Sequence, residues 1–396
     1  MDGPRMSRRN FIRRSAAQAA ALSGLAAASG YRPERETVPL QPDPDIQVHG
    51  NAVFVYPSGH SATDYANLQL VVSSTYYPKN ICLMASSRSG IDEGFVLPEG
   101  ASIILTRDGL EITGNGNPNG RNATIREGYI AFRNSGSFSV SVSISKITFL
   151  NQDFGAVYGH FEDFIFENNQ VAVDPMPPPN PNYGIFLESV SRMLRIRNNE
   201  FLGWTGIVCK AAGMGEISFN MINSIDCGIY ASDILNAELK GNIVNVSDPG
   251  FDTYVLANII IGAGSDNSII KAGKLEGSPY FGIVLLGRAS ENSGGNQILM
   301  LDVKNLNCSL ASVAINALNQ GTLSDIIVKA GPGSVGVDPM PPPDPRKTVL
   351  DNGYHTSAIG FAHVENGMGL PEEFRSGLEN FLFKIEYPFE YEGNTE

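Results

Sequence analysis

The chain has 396 residues and a net charge of −13, with 28 Lys and Arg against 41 Asp and Glu. That acidity excludes nucleic acid and anionic membrane as ready partners, because both carry the same sign of charge. Charged residues at only 17% and 42 glycines argue against a disordered or coiled-coil chain and for short strands joined by tight turns.

Residues 1–28 read as an export signal. Ser7-Arg8-Arg9-Asn10-Phe11-Ile12-Arg13 resembles the twin-arginine signal, and an Ala-rich segment from Ala16 follows, with small residues for cleavage at Ala26, Ala27 and Ala28. A mitochondrial transit peptide, also rich in Arg and Ser, is the rival reading. The apolar part is too short to span a membrane. Its removal takes away five Arg and one Asp, which moves the net charge from −13 to −17. The mature protein is expected to be soluble, in the periplasm or outside the cell. Residues 29–50, with Pro33, Pro39, Pro42 and Pro44, read as an extended linker.

From residue 50 the chain alternates short apolar pieces with turns. Ala52-Val53-Phe54-Val55 and Leu68 to Val72 are expected in the first coils, with one short helix or irregular segment closing the open end, since an uncapped solenoid leaves a sheet edge bare. Ser102 to Leu105, Leu110 to Ile112 and Val142 to Phe149 alternate as strands do.

The clearest signal is a repeat. Gly184-Ile185, Gly206-Ile207 and Gly228-Ile229 recur every 22 residues, and each opens a short alternating run. A fixed period with strand alternation and no helical stripe indicates a parallel β-helix. Equivalent residues of successive coils then stack about 4.7–4.9 Å apart. Ile185, Ile207 and Ile229 are expected to form one inward column, with Leu187, Cys209 and Ala231 beside it. Phe186, Val208 and Tyr230 would point outward, and Glu188 and Lys210 would pair in a solvated surface contact. Asn198, Asn220 and Asn242 are expected to stack at a corner, in a register that one insertion or deletion shifts by a residue.

Two nearly identical runs, residues 173–181 and 337–345, contain Asp-Pro-Met-Pro-Pro-Pro and are expected as stiff loops, either walls around a groove or plain crossovers. Beyond Asp248 the period loosens. Residues 371–384, with Phe374, Leu378, Phe381 and Leu382, have helical spacing and are expected to cap the C-terminal end. Cys82, Cys209, Cys227 and Cys308 are scattered and read as buried thiols, with a disulfide left open.

With Phe166-Glu167-Asn168-Asn169, Arg197-Asn198-Asn199-Glu200-Phe201 and the repeated Gly-Ile, the chain resembles the right-handed parallel β-helix proteins of the pectin-lyase-like superfamily. The resemblance covers roughly residues 50–365, with residues 366–396 a capping helix and tail. It implies an all-β, right-handed parallel β-helix solenoid of about 10–12 coils with capping segments. The family includes polysaccharide lyases, glycoside hydrolases and non-catalytic modules, so function rests on the site.

The family's catalytic motifs are missing. There is no Asp-Asp pair, Gly159-His160 is followed by Phe161, and Asp174-Pro175-Met176 lacks the His of an epimerase. What remains as acid, base or charge is His160, Glu162, Asp163, Arg195 and Lys210. Phe186, Glu188, Trp204, Lys210 and Tyr230 form a candidate sugar-facing surface, aromatic rings offering flat apolar faces. No metal ligands or cofactor motif are evident, and a bound calcium stays open. The function expected is binding or processing of a polysaccharide on the outer face. The alternative is a non-catalytic structural or partner-binding module that oligomerises through its Pro-rich loops.

Overall fold

The computed structural model describes residues 45–86, 94–115, 122–134, 139–173, 182–247, 255–287, 292–335, 342–366 and 370–389. The export signal, the linker up to residue 44, and residues 174–181 and 337–341 of the two Pro-rich runs lie outside the described residues.

The described chain is all-β apart from two α-helices and one short 3-10 turn. Its strand pairings are parallel except for Ile46–His49 against Ala52–Val55. They fall into three ladders, as a parallel β-solenoid requires. Face A runs through 164–167, 194–197, 215–218 and 237–240. Face B runs through 170–172, 200–202, 221–224 and 243–246. Face C runs through 183–187, 205–209, 227–231 and 257–261.

The 22-residue spacing is one full turn of chain. Ile185 pairs with Ile207 and Ile207 with Ile229 on face C, and the column continues through Ile259, Ile283, Val313 and Val349. Leu187, Cys209 and Ala231 form the neighbouring column. All six of these repeat residues are fully buried in one continuous core.

Between faces A and B four successive turns bend in the same way. One residue takes a left-handed conformation (Asn168, Asn198, Phe219, Gly241; φ 59, 54, 53 and 63°) and the next is Asn. The stacked amides are therefore Asn169, Asn199, Asn220 and Asn242, each buried. The expected Asn198 is one position off, because it supplies the bend instead. Each Oδ1 of Asn199, Asn220 and Asn242 accepts from the backbone N and the side-chain amide of the Asn one turn earlier, at 2.9–3.2 Å. Asn can do this because one amide carries both an acceptor and two donors.

Helix α1 (Ser61–Ser73) follows the first face-A strand, and Leu68, Val71 and Val72 enter the main core. It contacts 95–96 and 102–104, the first strands of faces B and C, and so closes the N-terminal end. Helix α2 (Glu372–Glu386) does not cap the C-terminal end. It lies lengthwise on the outside of face C. Phe374 meets Phe281 with ring centroids 4.8 Å apart, Phe381 meets Tyr230 at 5.6 Å, and Phe389, just beyond the helix, meets Tyr158 at 4.8 Å. Residues 374–386 span about 18 Å at helical rise, and the three residues to Phe389 carry the chain on toward the roughly 24 Å of the five rung steps from Phe281 back to Tyr158.

The reason lies in the outward row of face C. Phe186, Val208, Tyr230, Ile260 and Val284 are aromatic or aliphatic, and an apolar row of that length needs a cover. The helix supplies Phe374, Leu378, Phe381 and Ile385, all buried, each contributing about 1.5–3 kcal/mol of apolar burial. Consequently Ala257–Ile261, Phe281–Leu285 and Ala311–Ile315 are buried at every residue. Face-A strands such as Val140–Ser145 alternate.

Candidate functional site

The aromatic row expected to face sugar is sealed. Phe186, Trp204 and Tyr230 are 0, 2 and 7% exposed, and α2 with Phe389 covers Phe186 and Tyr230. Glu188 and Lys210 do pair, at 2.9 Å, but with side chains only 15 and 17% exposed. The contact is thus a tether rather than a solvated surface pair. Lys210 Nζ also donates to the Ile385 carbonyl at 3.2 Å, neutralising the negative end of the helix dipole. Tyr158 donates its hydroxyl to Glu188 at 3.0 Å, and burial, reinforced by Glu188, raises its pKa.

His160, Glu162 and Asp163 stand at the corner between faces C and A. The exposed His160 places Nδ1 3.0 Å from Ser189 Oγ. Arg192 reaches from the next turn to bind Asp163 through two nitrogens and Glu162 at 3.1 Å. Those hydrogen bonds from Arg192 are the first cause that holds the Asp163 carboxyl below its usual range. A general acid needs the opposite shift. Arg192 therefore makes this cluster an ion-pair network, with neither acid aimed at the His160 ring. Arg195 stands on face A in register with Ile165 and Glu216. It shares no surface with Lys210, so the two do not form one basic patch.

A third place emerges at the corner between faces A and B. A cleft of about 380 Å³ is lined by Asn168, Gln170, Asn198, Glu200, Phe219, Met221 and neighbouring amides. Phe219 is 44% exposed. Its ring lies over Gly241, where a Cβ would come within 2.7 Å of it, and Arg197 and Lys240 sit 5.5 and 5.9 Å from its centroid. A bulky residue in the left-handed region is disfavoured, at a cost of about 1–3 kcal/mol. The same bend elsewhere uses Asn168, Asn198 and Gly241, which suit it, and also Lys146, Ala272 and Met300. Phe219 is thus a strained, half-exposed aromatic among amides. Gln170 donates to Glu200, the one carboxylate in the lining, at 3.2 Å. An apolar ring face with amide donors and acceptors around it has the chemical make-up of a site for an uncharged sugar. A single tethered carboxylate does not supply the acid pair of a glycosidase.

Phe219 is the residue that sequence reasoning missed as a site. It is visible there only as an apolar residue before Asn220. Its signal is that, among the described residues, it is the one aromatic at a left-handed A–B bend, where the others are Asn, Gly, Lys, Ala and Met. Among the described residues no three His, Cys, Asp or Glu side chains gather to hold a metal ion. No described helix is long and apolar enough to cross a membrane. The four cysteines are free, and Cys209, Cys227 and Cys308 are buried. No protein-family model, curated protein or solved structure matches the chain.

Proposed function

We propose that this chain is an exported right-handed parallel β-helix of about 10–12 coils that binds a polysaccharide along its A–B corner without cleaving it. The observation that carries this reading is Phe219. A half-exposed aromatic ring stands at the bend beside the amides of the corner cleft, and an aromatic face of that kind can stack on a sugar ring. The repeating turns would present further corner residues to successive sugars at rung spacing. Export by the twin-arginine route fits a ligand outside the cytoplasm, and a lining of amides whose one carboxylate is Glu200 suits an uncharged sugar better than a polyanion.

The experiment is a glycan array on the mature protein, followed by titration of the best ligand against Phe219→Asn. Asn tolerates the left-handed bend. The variant is therefore expected to keep or raise the unfolding midpoint while losing about tenfold in affinity, the value of one aromatic stacking contact at roughly 1.5 kcal/mol. Wild-type affinity in Phe219→Asn, or release of new reducing ends or unsaturated sugar from the ligand, would overturn the reading.

A further inference from the structure

Beneath α2 lies a buried polar group that none of the roles above uses. Asp226 begins the face-C strand segment of its turn and is 8% exposed. Its carboxylate accepts from Thr205 Oγ1 at 2.7 Å and from Trp204. The charged and titratable groups around it are Lys384 from α2, Tyr183 from two turns before, and Cys227 next to it on its own strand. The helix otherwise meets face C through the apolar side chains and the Lys210 tether to Ile385 already described, with Asp233 and Glu386 near Tyr230. Asp226 is thus a second acid on face C beside the helix, in addition to the Glu188 that Lys210 holds.

We propose that α2 is a proton-controlled strap, seated on face C at acid pH and loosened as the pH rises through neutrality. Burial is the main cause that lifts the Asp226 carboxyl to about 7, against a favourable but smaller pull from Thr205 and from Lys384 of the helix. The same desolvation lowers Lys384, so the pair is a poor ion pair in its seat. With the strap lifted, Asp226 meets water and returns toward an ordinary carboxyl. The sign follows from linkage. The seated form binds the Asp226 proton more tightly than the open form, so protonation favours seating, and that preference disappears as the pH climbs through about 7. Between roughly pH 4 and 7 the seated-to-open ratio is expected to fall about tenfold per pH unit.

The test is amide hydrogen exchange on the full mature chain from pH 5 to 9, expressed as protection factors corrected for the intrinsic rate. No glycan is involved, so its outcome is independent of the binding proposal. In wild type, protection in residues 372–386 should fall about tenfold per unit up to pH 7 and then level off, while the Ile207 and Ile229 strands hold theirs. Asp226→Asn keeps the shape of the carboxyl without its titration and should give a flat helix profile. Lys384→Met, which removes the nearby cation, should carry the levelling point to higher pH. Trp204, the only tryptophan in the chain, offers a parallel reading through its emission. A flat wild-type profile, the same slope in Asp226→Asn, an unmoved levelling point in Lys384→Met, or an equal fall throughout the solenoid would each overturn the strap.

Discussion

Gly228→Ala is expected to destabilise the protein by about 2–4 kcal/mol, within the range seen when a packed core is forced to accept an extra methyl group or more. A Cβ at Gly228 would lie 2.1 Å from Val244 Cγ1 and 2.7 Å from the Asn258 carbonyl oxygen. The Val244 side chain is fully buried and has nowhere to go, and the carbonyl belongs to the next rung. The same collision recurs along the column. At Gly206 the Cβ would sit 2.5 Å from Ile222 Cγ2 and 2.7 Å from the Gly228 oxygen; at Gly184 it would sit 2.4 Å from the Gly206 oxygen. These glycines are required because the face-C strand begins where one rung's backbone presses on the next. Gly203→Ala is the control, since its nearest neighbours are 3.6 Å away, and it should change stability by less than about 0.5 kcal/mol. Urea unfolding of the three proteins checks this. A Gly228→Ala midpoint equal to that of Gly203→Ala would show that the rungs have more slack than their spacing implies.

That close approach also explains how much the sequence disclosed. The Gly-Ile repeat was readable because equal turns of 22 residues put identical positions in register, and Ile185, Ile207 and Ile229 do stack. Ile259, Ile283 and Val313 belong to the same column, but turns of unequal length hide them from any fixed period. The Asn stack was readable as a type and not as a register, because the turn from Asn199 to Asn220 is one residue short of 22. Helix α2 was readable from its apolar spacing, whereas its seat was not, since linear spacing does not say which surface a helix covers. The clue was present in Ile259-Ile260-Ile261, a strand without alternation, which marks a sheet buried on both sides. Phe219 could be placed only once the bend was known. At that position the side chain, rather than following inward alternation, stands out at the corner.

Asn220→Ala should be about as damaging, at roughly 2–6 kcal/mol, counting about 1–3 kcal/mol for each buried polar group left without a partner. In the native stack Asn220 Oδ1 accepts from the Asn199 backbone N and side-chain amide, both at 3.0 Å. Its own amide donates to the Ile196 carbonyl and to Asn242 Oδ1, also at 3.0 Å. Removing it leaves the buried Asn199 backbone N–H and one N–H of the Asn199 side-chain amide without their acceptor. Asn245→Ala is the comparison. Asn245 donates to Asn223 at 3.2 Å in a half-buried position, where solvent replaces the lost bond at a cost under about 1 kcal/mol. Asn220→Asp separates the two halves of the amide's role. It keeps the acceptor but sets a carboxylate against the Ile196 carbonyl and Asn242 Oδ1, so its folded-state pKa should be raised above the unfolded value. A raised pKa gives stability that is present at acid pH and lost as the pH rises through it. Urea midpoints for Asn220→Asp should therefore approach wild type near pH 4 and fall away by pH 8. A midpoint with no such pH dependence would mean that the corner amides are solvated, and that the stack contributes little to holding the turns together.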